Sequence, residues 1–255
     1  MDARDCLRRK LESHCGSLAQ VADVRRATLR GGLQEGLDVV DIVNGGGLEM
    51  TVMEGACLDI LSMRWKGLNL GFVAPPGAVN PSFSEPQVEA FHETFRGGML
   101  YTCGLANVGE RGTVQGIHHP EHGRIGRMPA EDIRIIRHWR DEGGTLGVCG
   151  RMREAGLFRD GLVLERCITT PFFSNRVMIV DKVRNAGFSP IPLFLLHHFN
   201  FGYPFLDEET RIETTDAHPL PWDAAARACL AAASRMEAPE NGAPEQVFQH
   251  APEAG

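Results

Sequence analysis

Residues 116–126, "GIHHPEHGRIG", concentrate side chains that can do chemistry. His118, His119 and His122 carry imidazoles, which together with a carboxylate could bind a zinc, iron, nickel or manganese ion. A cupin-like metal site needs two histidines two residues apart, so that both face the same side of a strand. Here the first two histidines are adjacent and Pro120 interrupts the run, so the spacing fits that kind of site poorly.

Two other interpretations of this stretch remain open. One is a polar surface loop whose histidines bind no ligand. The other is recognition of a sugar, because His122-Gly123-Arg124 places an imidazole and a guanidinium fork beside a glycine that allows close backbone approach. Ligands rich in hydroxyl groups need donors and acceptors of this kind, held in fixed positions.

A second histidine-rich stretch, "LLHHFNFGYP" at residues 195–204, follows an apolar run. If this run is a strand, His198 and Asn200 face one side and His197 faces the other. We therefore expect one histidine in a pocket and its neighbour against the opposite layer. A buried imidazole held by a hydrogen bond is the plainer alternative. Asp207 then opens a run of three acidic residues, which could serve a site or form a solvated turn.

The elements that must position these residues are short apolar or alternating segments, which begin at about Leu37 and are separated by glycine, proline and asparagine. Their length and β-branched content predict strands, and no segment of helical period lies between them. The predicted fold is mostly β, an antiparallel sandwich or barrel preceded by a short amphipathic helix that ends near Gly16. The predicted strands are "LDVVDIV", "LEMTVM", "CLDILSM", "MLYTCGL", "DIRIIRHW", "TLGVCGR", "LVLERCITT" and "RVMIVDKV".

Two segments differ from this pattern. Residues 74–87 contain four prolines and predict a loop or an extended cover, and loops of this length often line a site. From Asp216 onward the chain is rich in alanine, proline and glutamate, with little apolar content after Phe248. We expect an irregular tail over residues 216–255 and a helical or extended lead-in over residues 1–30.

The composition is that of an ordinary globular chain, with 255 residues, 43% hydrophobic and 23% charged, and a net charge of −7. The acidic balance argues against a nucleic-acid partner, since no Lys/Arg-dense run follows the short "LRRK" near the start. No apolar stretch approaches the length of a membrane span, and the N-terminus lacks the apolar middle of a signal peptide. The seven cysteines include no CxxC pair, which favours reduced thiols and a cytoplasmic protein.

Five motifs in order along the chain resemble a known family. They are "GGGLEMTVMEGACLDI", "GGMLYTCGL", "HGRIGRMPAE", "DKVRNAGFSPIP" and "HHFNFGYPFLDE". Together they span about residues 45–209 and resemble the DUF4432-type aldose 1-epimerase-like family, a branch of the galactose mutarotase-like superfamily. The resemblance implies a β-supersandwich, in which two large antiparallel sheets hold a sugar in a cleft on a concave face.

The resemblance also has a consequence for the extent of the domain. It implies that residues 1–255 form a single galactose mutarotase-like domain. Members of this branch usually run longer, and in mutarotases the general base is a glutamate on a late strand. We therefore expect the C-terminal strands and the base to lie beyond residue 255, which would leave the active site incomplete.

Roles for individual residues follow from the same resemblance. His122, in "EHG", matches the sugar-binding histidine of mutarotases. His198, two residues before the asparagine of an "N-F-G" element, resembles the histidine that acts as general acid. Arg96 lies at a suitable distance for the upstream sugar-binding arginine, but its flanking residues do not match and it receives no role. The predicted substrate-binding residues are His119, His122, Arg124, Asn200 and Asp207.

The predicted function is that of an aldose 1-epimerase-like enzyme that interconverts the anomers of a sugar or sugar acid. This reaction needs an acid and a base but no metal or organic cofactor, and histidine suits the acid role because its pKa lies near neutrality. The expected partner is a small carbohydrate, with no nucleic acid or membrane and with a homodimer as candidate assembly. The alternatives are a metal-dependent sugar isomerase or epimerase that uses His118, His119 and His122, a non-catalytic carbohydrate-binding domain, and histidines with a purely structural role.

Overall fold

The computed structural model describes residues 7–83, 91–114, 116–140, 143–157, 159–215 and 218–251. Contacts between residues divide the chain into two compact units, Met1–Gly202 and Tyr203–Gly255. Both of the larger β-sheets lie in the first unit.

The first unit consists mainly of strands. In chain order they are β1 (Asp23–Thr28), β2 (Asp38–Val43), β3 (Leu48–Met53), β4 (Ile60–Trp65), β5 (Leu68–Asn69), β6 (Leu100–Leu105), β7 (Gly112–Val114), β8 (Ile117–His119), β9 (Glu131–Arg140), β10 (Gly143–Gly156), β11 (Arg159–Pro171), β12 (Met178–Asn185) and β13 (Phe194–Phe199). The helices are α1 (Leu7–Glu12) and α2 (Phe91–Thr94), with short 3-10 helices at Leu18–Gln20, Gly32–Gln34, Pro81–Phe83 and Ile125–Arg127.

Each sheet of the first unit is antiparallel. One sheet has five strands in the order β1-β2-β3-β4-β5, and a second has four in the order β12-β11-β10-β9. Strand β13 pairs with the distant β6 in a two-stranded ribbon, and β7 pairs with β8. Consecutive strands therefore form the two larger sheets, whereas the β6–β13 ribbon joins segments far apart in the sequence.

The hydrophobic core connects these sheets. Ile42 of β2, Val148 of β10 and Leu100 of β6 are nearly inaccessible to solvent and belong to one cluster. Val39, on the other face of β2, belongs to a smaller cluster. Because side chains alternate along a strand, the apolar residues of β2 can be buried on both of its faces.

The second unit is short of regular structure. It contains β14 (Leu220–Pro221), α3 (Ala224–Ala228), a 3-10 helix at Leu230–Ala232 and β15 (Phe248–Gln249), with β14 and β15 paired. The helix begins after Asp223, whose carboxylate accepts a hydrogen bond from Ala226 N at 2.7 Å, as expected for an N-cap. Part of the alanine-rich segment that follows Asp216 thus forms the short helix α3.

The predicted fold class is confirmed. Each of the predicted strand segments overlaps an observed strand, and the short N-terminal helix is α1. Strand β1 lies within the segment for which the sequence predicts a helical or extended lead-in. The proline-rich segment contains a 3-10 helix at Pro81–Phe83, and its residues 84–87 lie outside the described part of the chain. Over the described ranges, no helix has the length and apolar character to cross a membrane.

The expectation of reduced thiols is wrong for one pair. Cys149 of β10 and Cys167 of β11 form a disulfide. The two residues are direct cross-strand partners, so their sulfurs meet through sheet register and without a short sequence motif. Among the described residues, the free cysteines are Cys15, Cys57, Cys103 and Cys229.

Candidate functional site

The β6–β13 ribbon places the two adjacent histidines in different environments. His197 lies opposite Thr102, and His198 lies opposite Tyr101. Since side chains alternate between the two faces of a strand, His197 and Thr102 share one face of the ribbon and His198 and Tyr101 share the other.

On one face, His197 binds a carboxylate. Its Nε2 lies 2.8 Å from Asp181 Oδ2, and its side chain is 34% exposed. Burial alone would raise the pKa of Asp181, but hydrogen bonds from Arg166 and His197 hold it at about 2. The carboxylate is therefore ionised at neutral pH and can act as a fixed acceptor.

On the other face, His198 meets His122. The two ring centroids are 5.8 Å apart, and the rings are nearly perpendicular, with an angle of 77° between their planes. His198 Nδ1 is buried and has no hydrogen-bond partner within the described ranges. The two histidine-rich stretches thus converge, and the histidine of the second stretch that joins His122 is His198.

The loop that carries His122 is hydrogen-bonded through its backbone to β6 and to the segment that follows β6. The N–H of His122 donates to Gly109 O at 2.8 Å, and its carbonyl accepts from Gly104 N at 3.0 Å. His122 itself has a φ of 57°. The following residue, Gly123, forms a bridge with Gly104. These contacts fix the point from which the imidazole extends.

Gly123 is required by this close approach, which a substitution can test. An added Cβ would lie 2.1 Å from Gly104 O, and the φ of 78° disfavours alanine. We expect Gly123→Ala to lower the free energy of unfolding by at least about 1–3 kcal/mol, the usual cost of such strain. Gly116→Ala is the matched control, because its φ is 76° and an added Cβ has no atom within 4 Å. Equal losses in chemical denaturation would contradict the importance of the Gly104 contact.

Aromatic rings surround the imidazole pair. Phe91 of α2 lies 5.0 Å from the His122 ring, and Phe95 lies 6.2 Å from the His198 ring. Tyr101 contacts both phenylalanines, at 5.8 and 5.5 Å. Phe91 and Phe95 are four residues apart, the spacing that places side chains next to each other on a helical turn. The imidazoles therefore lie against an apolar wall.

The buried side chain of Arg96 packs against Tyr101, one of the rings of this wall. Its guanidinium carbon lies 4.8 Å from the centre of the Tyr101 ring, and Nη2 donates to Asp59 Oδ2 at 2.9 Å and to Gly126 O at 3.1 Å. Burial raises the pKa of Tyr101, and the positive charge of Arg96 opposes that rise. The tyrosine is therefore neutral at physiological pH.

A narrow cavity of about 10 Å³ lies beside Arg96 and Tyr101. This is room for one water-sized group, so a sugar bound at the imidazole pair would lie outside it. The cavity is lined by Val79, Pro81, Phe91, Thr94, Phe95, Arg96, Tyr101 and Arg127.

A buried network of charges lies on the His197 face of the ribbon. Arg166 is fully buried and donates to both oxygens of Asp181, from Nε at 2.9 Å and from Nη2 at 2.7 Å. Its Nη1 donates to Asp59 Oδ1 at 3.1 Å and to Thr102 Oγ1 at 2.7 Å. Asp59 in turn accepts from the backbone N–H and the hydroxyl of Thr102, at 3.0 and 2.5 Å. Each carboxylate thus has a cationic partner and further donors.

A family model described as "Domain of unknown function (DUF4432)" matches residues 34–255. The chain belongs to the DUF4432 family. No curated protein sequence matches it.

Two solved structures resemble this DUF4432 chain. One, described as a "putative aldose 1-epimerase" from Klebsiella pneumoniae subsp. pneumoniae MGH 78578, has a TM-score of 0.84 at 23% identity, over 91% of this chain and 61% of that one. The other, galactose 1-epimerase from Lactobacillus acidophilus NCFM, has a TM-score of 0.52 at 13% identity, over 79% and 60%. These likenesses establish a mutarotase-like fold. The chain spans about three fifths of the length of either structure.

Arg124 and Asn200 make backbone contacts in the DUF4432 chain. Arg124 Nη2 donates to His118 O at 2.9 Å. Asn200 Nδ2 donates to Gly98 O at 3.0 Å and to His198 O at 3.2 Å. These bonds anchor the loop and the end of β13, and the predicted substrate contacts of both residues stay predictions.

The remaining histidines of the first stretch lie on β8. His118 is paired with Thr113 and His119 with Gly112. Across the described ranges, no three side chains of the His, Cys, Asp or Glu type come together in a group that could hold a metal ion. The ring of this stretch that contacts His198 is that of His122.

Asp207 belongs to the second unit. Its Oδ1 accepts hydrogen bonds from Glu209 N at 3.0 Å and Thr210 Oγ1 at 3.1 Å, which closes a turn. A substrate contact by Asp207 stays a prediction.

Sequence reasoning missed the residues that hold the imidazole pair in place. The aromatic residues Phe91, Phe95 and Tyr101 could have been noticed only as apolar positions. The buried charges carried a weak signal, since Arg166 and Asp181 interrupt apolar strand segments. Such a charge more often lies on a solvated face, and only the structure shows that these two are partners.

Proposed function

We propose that the imidazole pair binds a sugar and that the protein interconverts the sugar's anomers, with His198 as general acid. The observation that carries this proposal is the 5.8 Å approach of the His122 and His198 rings, which come from segments far apart in the chain. The mutarotase-like fold supports it, because both similar structures are described as 1-epimerases.

The proposed reaction opens and recloses the sugar ring. A base takes the proton from the anomeric hydroxyl, and the electrons of that O–H bond form the carbonyl as the C1–O5 bond breaks. Protonated His198 gives its proton to the ring oxygen, which leaves as a hydroxyl. Rotation about C1–C2 and the reverse steps then yield the other anomer. His122 holds a hydroxyl so that the ring oxygen stays within reach of His198.

The environment of His198 suits this role. Its Nδ1 is buried with no partner within the described ranges, and a buried ring nitrogen without a partner is uncommon in structural histidines. Apolar rings on the flanks limit the access of water to the pair, which strengthens hydrogen bonds to a ligand. The proposal assigns the acid and one binding residue, and it assigns the base to no described residue.

A carbohydrate-binding domain without turnover is the second candidate. The observation that favours it is that the structure brings together two imidazoles, those of His122 and His198, while the proposal assigns the base to no described residue. Two imidazoles can bind hydroxyl groups, whereas ring opening also requires a base on the other side of the sugar.

Anomer exchange measured by NMR distinguishes the two candidates. We expect the chain to accelerate exchange between the α and β signals of at least one sugar among glucose, galactose, glucuronate and galacturonate, with the same rate in EDTA. Line broadening of a sugar without faster exchange would favour the binding domain. Neither effect with any of these sugars would contradict both candidates, and a rate lost in EDTA would indicate metal chemistry.

A further inference from the structure

We infer that Thr102 and His197 are positioning residues, which hold the β6–β13 ribbon so that His198 faces His122. The catalytic consequence rests on the proposed function, whereas the structural consequence does not. The inference depends on three features of the first unit: the pairing of the ribbon, its attachment to two carboxylates, and the anchoring of those carboxylates in both larger sheets.

The first feature is that the positioning pair and the site pair are immediate neighbours. Thr102 and His197 are cross-strand partners, and the next residues along each strand, Tyr101 and His198, are partners as well. Because successive side chains point to opposite faces, any rotation of the ribbon that releases one pair also turns the other. The contacts of Thr102 and His197 therefore determine where His198 points.

The second feature is that Thr102 and His197 each bind a carboxylate. Thr102 donates to Asp59 from its backbone N–H at 3.0 Å and from its hydroxyl at 2.5 Å. His197 Nε2 lies 2.8 Å from Asp181 Oδ2. A two-stranded ribbon is barely stable alone, so these bonds to two buried carboxyl groups are well placed to hold it.

The third feature is that the carboxylates are fixed in the larger sheets. Asp59 directly precedes β4 of the five-stranded sheet, and Asp181 lies on β12 of the four-stranded sheet. Arg166 of β11 is the cross-strand partner of Asp181 and bridges the two carboxylates with its guanidinium. The planar fork of arginine suits such a bridge better than a point charge would. The ribbon is thereby attached to both sheets through one buried network.

The adjacent histidines make a second anchor necessary. A one-residue slip of β13 would bring His198 to Asp181, so the bond of His197 alone does not define the register. The bonds of Thr102 to Asp59 determine which face of β6 is turned towards the buried network. Asn200 fixes the position of the chain just after β13 through its bond to Gly98 O at 3.0 Å. In the slipped register Asn200 would lose this bond, and a buried amide would be left unpaired.

The test compares Thr102→Val with Thr102→Ser. Valine is nearly isosteric with threonine but lacks the hydroxyl, whereas serine keeps it. The main readout is the NOE between ring protons of His122 and His198 in the ligand-free protein, which needs no substrate. We expect the wild type and T102S to show it and T102V to lose it, with the remaining amide spectrum preserved. For an active sugar, T102V should lower kcat about 10- to 100-fold and change KM far less, as expected for a misplaced acid.

Several outcomes are decisive. A folded T102V that keeps the NOE and the wild-type kcat would overturn the inference. If T102V does not fold, His197→Gln and His197→Leu replace it, because glutamine can still donate to Asp181 and leucine cannot. The NOE should then survive in H197Q and vanish in H197L, and its persistence in both would overturn the inference. If the wild type catalyses no anomer exchange, the proposed function fails while the NOE comparison still decides the positioning role.

Discussion

Replacement of His198 by asparagine should slow anomer exchange by about two to four orders of magnitude, the usual contribution of a general acid. Asparagine can still form hydrogen bonds, but it cannot deliver a proton to the ring oxygen. Sugar binding should change much less, because His122 and the aromatic rings around the pair are retained. Saturation-transfer NMR measures the exchange rate, and line broadening of the sugar signals measures the binding.

His138→Asn is the matched control for this experiment. His138 is exposed on β9 and has no part in the site, so the same change there should leave the exchange rate unaltered. If H198N retained the wild-type rate, His198 would not be the acid. If H198N lost binding and exchange to the same degree, His198 would act as a sugar-binding residue only.

Local pattern was sufficient to predict eight of the strands and, in β12 and β13, which residues share a face. In β12, Ile179 and Val183 share the face that packs on the core, while Met178 and Val180 on the other face are 53% and 43% exposed. The same alternation separates His197 from His198. A period of two is a property of the strand itself, so it can be derived without knowledge of the partner strand.

Partners across sheets could not be derived in this way. The β6–β13 pairing, the disulfide between Cys149 and Cys167, and the contact between His122 and His198 all depend on which strands become neighbours. The resemblance to known motifs supplied the last of these as an expectation. The disulfide had no such support, because its spacing of 18 residues matches no local motif.

The burial of the charged residues could not be predicted from composition or from local sequence pattern. A lone arginine in "LVLERCITT" is most simply interpreted as a residue on a solvated face, and Asp59 as the start of a turn. Both are fully buried, because each satisfies the other's charge together with Asp181 and Thr102. Burial of such charges is feasible only when the partners are all present, and this condition is invisible in any one segment.

Arg166→Met should therefore be among the most destabilising single changes in the chain. Methionine fills a similar volume but leaves Asp59 and Asp181 without the cation that now bridges them. Removal of one partner from a buried ion pair costs about 3–5 kcal/mol of unfolding free energy. Chemical denaturation followed by tryptophan fluorescence measures the loss. Arg25→Met is the control: the Arg25–Asp41 pair is 3.3 Å long with side chains 73% and 31% exposed, and such surface pairs contribute less than about 1 kcal/mol.

The pH dependence separates a charge effect from a packing effect. In the wild type the pKa of Asp181 is lowered to about 2, so its stabilising contribution is complete above the unfolded-state pKa of about 3.9 and is lost only as the pH falls towards 2. Without Arg166, burial dominates and disfavours the charged carboxylate, so the R166M protein becomes relatively less stable as the pH rises. The difference in unfolding free energy between wild type and R166M should thus be smaller at pH 4 than at pH 8. An equal difference at both pH values would mean that Arg166 acts by filling space, and it would remove the electrostatic basis for the attachment of the ribbon to the two sheets.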